Sequence, residues 1–174
     1  MNGPVLDIMV EIPKGSRNKY EYDKKRKRIR FDRTLFSAVH YPSDYGYILN
    51  TLAQDDDPLD ALVLVSEPTF PGCLIEAVPV GVFKMWDEKG IDEKILCVPV
   101  KDPLWNHISS LSEVPPHLLR EIEHFFSIYK ELENKETGSE GWGDKNAAIE
   151  IIKDSRKRFE EFKKKDKTEN NQGR

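Results

Sequence analysis

Asp55-Asp56-Asp57-Pro58-Leu59-Asp60 runs without a break into Ala61-Leu62-Val63-Leu64-Val65. The second stretch is short, apolar and rich in β-branched residues, so it reads as a central strand. Upstream, Leu6, Ile8, Val10 and Ile12 alternate with Val5, Asp7, Met9 and Glu11, the pattern of a half-buried strand, until Pro13-Lys14-Gly15-Ser16 ends it. Residues 19–23 and 29–33 are two further strand candidates, and the basic run between them reads as a hairpin turn. Downstream, residues 77–85 and 95–100 are strands joined by the polar stretch 86–94. Short strands with no helix between them argue for a small closed or nearly closed barrel.

The last third changes period. After Pro115-Pro116, the residues Leu118, Leu119, Ile122, Phe125, Phe126, Tyr129 and Leu132 recur at helical spacing, with proline suited to the first turn. Residues 134–143 read as a polar, Gly-rich connection. A second helix from about Lys145 is expected to bury Ala148, Ile151, Ile152, Phe159 and Phe162. The expected organisation is therefore α+β, with one domain over 1–163 and a polar tail, 164–174, that frays.

A chain of 174 residues can bury a full core without disulfides or structural metals. Its net charge of −4 is unevenly spread: residues 153–167 carry an excess of +4, and the first 152 residues carry −8. A nucleic-acid binder would show the opposite bias in its folded part. No apolar run approaches the roughly 20 residues of a membrane span. No secretory signal is expected, and Cys73 and Cys97 sit in apolar surroundings as expected buried, reduced thiols, so the expected setting is the cytoplasm.

The acid is clumped where chemistry could use it. Two carboxylates ~4 Å apart repel by about 4 kcal/mol at an effective dielectric of 20, so the four aspartates of 55–60 ask for a cation. With no His or Cys nearby, that cation is Mg²⁺, Mn²⁺ or Ca²⁺ and not zinc. Taken alone, an acidic surface turn accounts for the run more simply. Asp87, Glu88, Asp92 and Glu93 form a second acidic group between two strands. Glu11 and Glu21 add carboxylates, and Lys19, Arg33 and Lys94 add cations. Loops of one barrel rim can bring these segments together, and carboxylates holding a metal beside Lys and Arg suit a compact phosphate ester or anhydride. In Tyr41-Pro42-Ser43-Asp44-Tyr45-Gly46-Tyr47 the phenols could line a pocket, although Tyr41 and Tyr47 fit core packing better. Tyr129 lies at a core spacing on the first helix.

Glu11-Ile12-Pro13, Lys19-Tyr20-Glu21, Asp32-Arg33, the Tyr41–Gly46 and Asp55–Asp60 motifs, Lys84-Met85-Trp86-Asp87-Glu88, Asp92-Glu93-Lys94 and His124 to Lys130 follow one another in an order that resembles the soluble family I inorganic pyrophosphatases of bacterial type. The resemblance implies a five-stranded OB-like barrel with two flanking C-terminal helices, and hydrolysis of inorganic pyrophosphate to two phosphates with several Mg²⁺ ions. It implies metal-holding roles for Glu11, Glu21, Asp55, Asp60, Asp87 and Asp92, with catalysis by Asp57, which takes the proton of the attacking water, and Asp92. Lys19, Arg33, Tyr45, Lys94, Tyr129 and Lys130 would surround the substrate. It further implies a homo-oligomer, a hexamer, assembled through the helix containing His124. Asp56 departs from the family pattern, which commonly has Gly at that place. A competing possibility is an OB-fold nucleic-acid-binding module using the basic run Lys24-Lys25-Arg26-Lys27-Arg28-Ile29-Arg30, although a run at a hairpin tip is ordinarily solvated and no nucleic acid or membrane partner is expected.

Overall fold

The computed structural model describes residues 3–172, with side chains through 166. The chain order is β1 (Leu6–Ile12), β2 (Asn18–Asp23), β3 (Arg28–Thr34), β4 (Asp44–Ile48), β5 (Asp60–Val63), β6 (Leu74–Asp87), β7 (Gly90–Ile91), β8 (Lys94–Pro99), α1 (Pro116–Ile128), β9 (Gly138–Gly143) and α2 (Lys145–Gln172). The alternation in β1 is realised fully, because Leu6, Ile8, Val10 and Ile12 are all completely buried. Five strands hydrogen-bond in the order β1-β4-β5-β8-β6, and β6 returns to pair with β1, closing the expected barrel. All pairings in the ring are antiparallel except β5 with β8, which run parallel.

The membership of the ring differs from the run of strands the sequence suggests. β2 and β3 pair only with each other, as a separate hairpin. The missing barrel strand is β4, within the tyrosine motif. Its inward positions are Asp44, Gly46 and Ile48, so polar and glycine residues conceal the apolar alternation. Asp44 is fully buried and accepts hydrogen bonds from the Lys14 amide (2.8 Å) and the Thr69 hydroxyl (2.6 Å), which satisfies its charge. Gly46 lets β4 lie against β1, since a Cβ there would stand 1.9 Å from the Met9 carbonyl oxygen. Residues 134–143, a connection by composition, also contain a strand, β9, which pairs with the outer half of β6. Its glycines hide it from any β-propensity argument.

Both faces of β5 and β8 are covered, which is why each reads as a continuous apolar run. Leu62, Leu96 and Val98 face a cluster with Ile122, Phe125 and Phe126 of α1. Ala61, Val63, Ile95 and Cys97 face a second cluster with Ala148 and Ile152 of α2. Each fully buried side chain of Leu, Ile or Phe size contributes about 1.5–3 kcal/mol.

Farther along α2 the expected burial weakens. Ser155 is buried, but Phe159 is half-buried and Phe162 is exposed, because the helix passes beyond the barrel edge. The helical backbone continues to Gln172, through most of the tail expected to fray, and residues 173–174 lie outside the described residues. Cys97 is buried, and burial pushes its thiol pKa up, whereas Cys73 is only half-buried in the turn before β6. Among the described residues, no helix is long and apolar enough to cross a membrane.

Candidate active site

The parallel register of β5 and β8 sets Asp60 beside Lys94 at the start of each strand. The Lys94 side chain is 1% exposed, and its ammonium donates to Asp60 Oδ2 (2.9 Å), Asp92 Oδ1 (2.7 Å) and the Tyr45 hydroxyl (3.1 Å). The Tyr45 hydroxyl in turn donates to Asp60 Oδ2. The ammonium also lies 5.2 Å from the Tyr45 ring centre and 5.1 Å from that of Phe126. Burial alone would discharge this lysine, but Asp60 and Asp92 hold its pKa well above the ordinary value. Asp92 is shifted upward by its burial, with Lys94 opposing and the Asp60 charge adding to the shift. The result is a buried knot of one cation, two carboxylates and a phenol.

A second ion-pair cluster forms one wall. Asp87 ends β6 with its side chain largely shielded from solvent, and it accepts from Lys130 Nζ at 2.7 Å, with Glu88 at 3.4 Å. Against the cost of burial, Lys130 and the Lys89 amide hold the Asp87 carboxyl below its usual range. Tyr129 precedes Lys130 at the C-terminus of α1, 4% exposed, with its ring 5.5 Å from the Lys130 ammonium and stacked on Phe125.

The β2–β3 hairpin forms the opposite wall. The pairing jumps from Lys19–Arg33 to Tyr20–Phe31, so Asp32 is an extra residue in β3. Such a bulge re-aims side chains, and here it sets Arg33 directly across from Lys19. Lys19 meets Glu21 (2.5 Å) and Asp32 (3.5 Å), and Arg33 is held by Asp32 and by Glu133, at 2.9 Å. A second bulge falls at Glu11, where the β1–β4 register skips from Val10–Gly46 to Ile12–Tyr45. Glu11 accepts the Tyr22 amide at 2.7 Å, tying the hairpin to the barrel. Burial pushes its pKa up to about 7; the Tyr22 amide opposes this, and the Asp60 charge reinforces it.

Asp55, Asp56 and Asp57 remain exposed on the loop before β5. Asp55 accepts the Asp57 amide (3.2 Å), and Asp57 meets Lys24 of the hairpin at 3.4 Å. Asp56 adopts a left-handed φ of 65°, which explains how a position suited to Gly accommodates it, since Asp tolerates that conformation better than most residues. The structure therefore joins Asp60, Asp92 and Tyr45 through Lys94, and Asp87 with Lys130, while the contacts of Asp55 and Asp57 are to each other and to Lys24. Among the described residues, no three His, Cys, Asp or Glu side chains converge into a ready cage. The donor set is nonetheless all carboxylate oxygen, the chemistry of a hard divalent ion, and Lys94 already places a positive charge between two of the carboxylates.

Tyr41, which the sequence assigns to core packing, is buried against Phe125 and Tyr45 but also feels the charges of Lys94, Arg33 and Asp60. Glu133 belongs to no sequence-derived set, and no local signal distinguishes it from its acidic neighbours. The basic run is the exposed hairpin tip, with Arg26 paired to Asp23 and Arg30 to Glu21.

A rim of carboxylates interleaved with buried ammonium and half-buried guanidinium groups on a five-stranded barrel is the site of a phosphoryl-transfer enzyme. Comparison with known proteins narrows the class. The sequence model of the inorganic pyrophosphatase family matches residues 8–160. The inorganic pyrophosphatase of Methanosarcina mazei is 59% identical over 157 residues, covering 90% of this chain and 93% of that protein. The one from Synechocystis is 47% identical, covering 89% and 92%. The crystal structure of inorganic pyrophosphatase from Thermus thermophilus superposes with a TM-score of 0.87 at 43% identity, covering 90% of this chain and 91% of that one. The chain belongs to the inorganic pyrophosphatase family, and it is a hydrolase of pyrophosphate.

Proposed function

We propose that this chain hydrolyses inorganic pyrophosphate to two orthophosphates with Mg²⁺ as its metal, several ions per site. Glu11, Glu21, Asp55, Asp60, Asp87 and Asp92 would hold them. When bound, the ions supply Lewis acidity and neutralise charge on the phosphoryl oxygens. Asp57, exposed with its carboxylate against Lys24, accepts the proton of the attacking water, a role a carboxylate at the site's edge can fill. Water oxygen bonds to one phosphorus as the bridging P–O bond breaks. Lys94, Lys130, Lys19 and Arg33 offset charge on the two phosphates, and Tyr45 and Tyr129 orient their oxygens by hydrogen bonds. Asp92 serves both metal binding and the placement of Lys94.

The buried Lys94 knot carries this reading. Its ammonium is held charged, desolvated and shared between two carboxylates, an arrangement that a polyanion bringing its own cations can enter without leaving a charge unpaired. Phosphate release measured after exhaustive chelation, and again after adding back Mg²⁺, tests it. Unchanged activity in the metal-free sample rejects it. Assembly as a homo-hexamer through the exposed His124 face of α1 is inferred from the family resemblance, and light scattering that returns a 20.2 kDa monomer at micromolar concentration rejects that assembly.

A further inference from the structure

Arg33 and Glu133 are a hundred residues apart in sequence, yet their side chains form a part-buried pair. The Glu133 side chain is 7% exposed and its Oε1 accepts from Arg33 Nε at 2.9 Å, while Asp32 takes Nη1. Among the described residues no carboxylate takes Nη2, so the guanidinium is gripped from both sides, at Nε and at Nη1, and leaves the Nη2 donors between them. Glu133 ends the short 3₁₀ turn Glu131–Glu133, which follows Tyr129 and Lys130 directly and stops where Asn134 turns left-handed at φ 55°. Arg33 stands at the end of β3, on the opposite wall. This one ion pair therefore clasps the hairpin wall, with Lys19 and Arg33, to the helical wall, with Tyr129 and Lys130. The two grips matter because a guanidinium is a rigid plane: fixing Nε and Nη1 fixes the direction of Nη2.

We infer that Glu133 is a positioning residue for substrate binding: it holds the Arg33 guanidinium so that its Nη2 donors face the phosphoryl group, and it never touches substrate itself. Lys135, 3.7 Å from the other Glu133 oxygen and 3.3 Å from Glu88, buttresses the carboxylate from behind. The inference rests on the assignment of Arg33 to the substrate made above. Loss of the grip frees the arginine to sample other rotamers, which weakens ground-state and transition-state binding alike and so raises KM with little change in kcat.

The test is a double-mutant cycle in the full chain with saturating Mg²⁺, reading KM and kcat separately. Glu133→Gln keeps the shape and removes the charge, and it should raise KM about three- to tenfold while kcat stays within about twofold. Arg33→Ala should raise KM by more, and Glu133→Gln added to Arg33→Ala should then change KM by less than about twofold. Equal effects of Glu133→Gln in the two backgrounds, or a fall in kcat with KM unmoved, would overturn the positioning role. If Arg33→Ala itself leaves KM unchanged, the substrate contact of Arg33 is wrong and the inference falls with it, a result distinct from the first. Should Glu133→Gln not fold, Glu133→Asp, which keeps the charge but withdraws it by one methylene, takes its place in the same cycle with the same criteria.

Discussion

The knot around Lys94 and the loop of Asp55 to Asp57 use the same acidic chemistry in opposite settings. In the knot, Asp60 and Asp92 lie at or beside the starts of adjoining parallel strands, and their charge is already met by a buried ammonium. On the loop, the carboxylates are exposed, and the 3.4 Å pair of Asp57 with Lys24 is one that salt screens and that contributes at most about 1 kcal/mol. The difference teaches that one residue type can stand in two settings, one fixed by a buried partner and one open to solvent. The knot is built into the starts of two core strands, so altering it is expected to cost stability, whereas under the proposed function the exposed loop is expected to respond to metal and substrate.

Removing the metal tests both regions at once and has the largest expected effect. Activity should fall to background after chelation and return with Mg²⁺, because neither group alone neutralises a pyrophosphate. The next effect belongs to the loop. Asp57→Asn should lower turnover by on the order of 10² to 10⁴ with the melting temperature unmoved, as initial rates and a thermal scan would show. Lys94→Met should act on stability as well as on substrate binding, destabilising the fold by about 3–5 kcal/mol, because Asp60 and Asp92 would lose their shared ammonium with the Tyr45 hydroxyl left on Asp60; denaturant unfolding measures it. A loop substitution that lowers stability, or a knot substitution that spares it, would break the division. Mg²⁺ without substrate should raise the melting temperature, by an equivalent of about 2.7 kcal/mol at 100 times its dissociation constant, since it draws loop and knot onto one ion. No shift at millimolar Mg²⁺ would mean that the two regions meet only around substrate. Smallest is the effect of Asp56. Asp56→Asn should change the rate only a few-fold, and Asp56→Gly should be tolerated without loss of stability because the left-handed φ already suits glycine. A loss at Asp56 equal to that at Asp57 would place the proton acceptor at the wrong aspartate.

Local pattern carries much of this protein. The alternation of Leu6, Ile8, Val10 and Ile12, the apolar run after Asp60, the helical period from Leu118 to Tyr129 and the order of the acidic motifs each depend on near neighbours, so they are legible in the sequence alone. β4 is not, because Asp44 and Gly46 occupy its buried positions and only distant partners, the Thr69 hydroxyl and the Met9 backbone, make those residues fit. The bulges at Glu11 and Asp32 are equally invisible: each adds one residue against a partner strand, and period-two reasoning assigns faces only within a strand. Residue types and spacing thus determined the chemistry available and the kind of fold. Tertiary structure alone decided which charges meet. The parallel pairing of β5 with β8 sets Asp60 against Lys94, and the closure of the two walls sets Glu133 against Arg33, because Coulomb and hydrogen-bond energies depend on distances that only the folded chain defines.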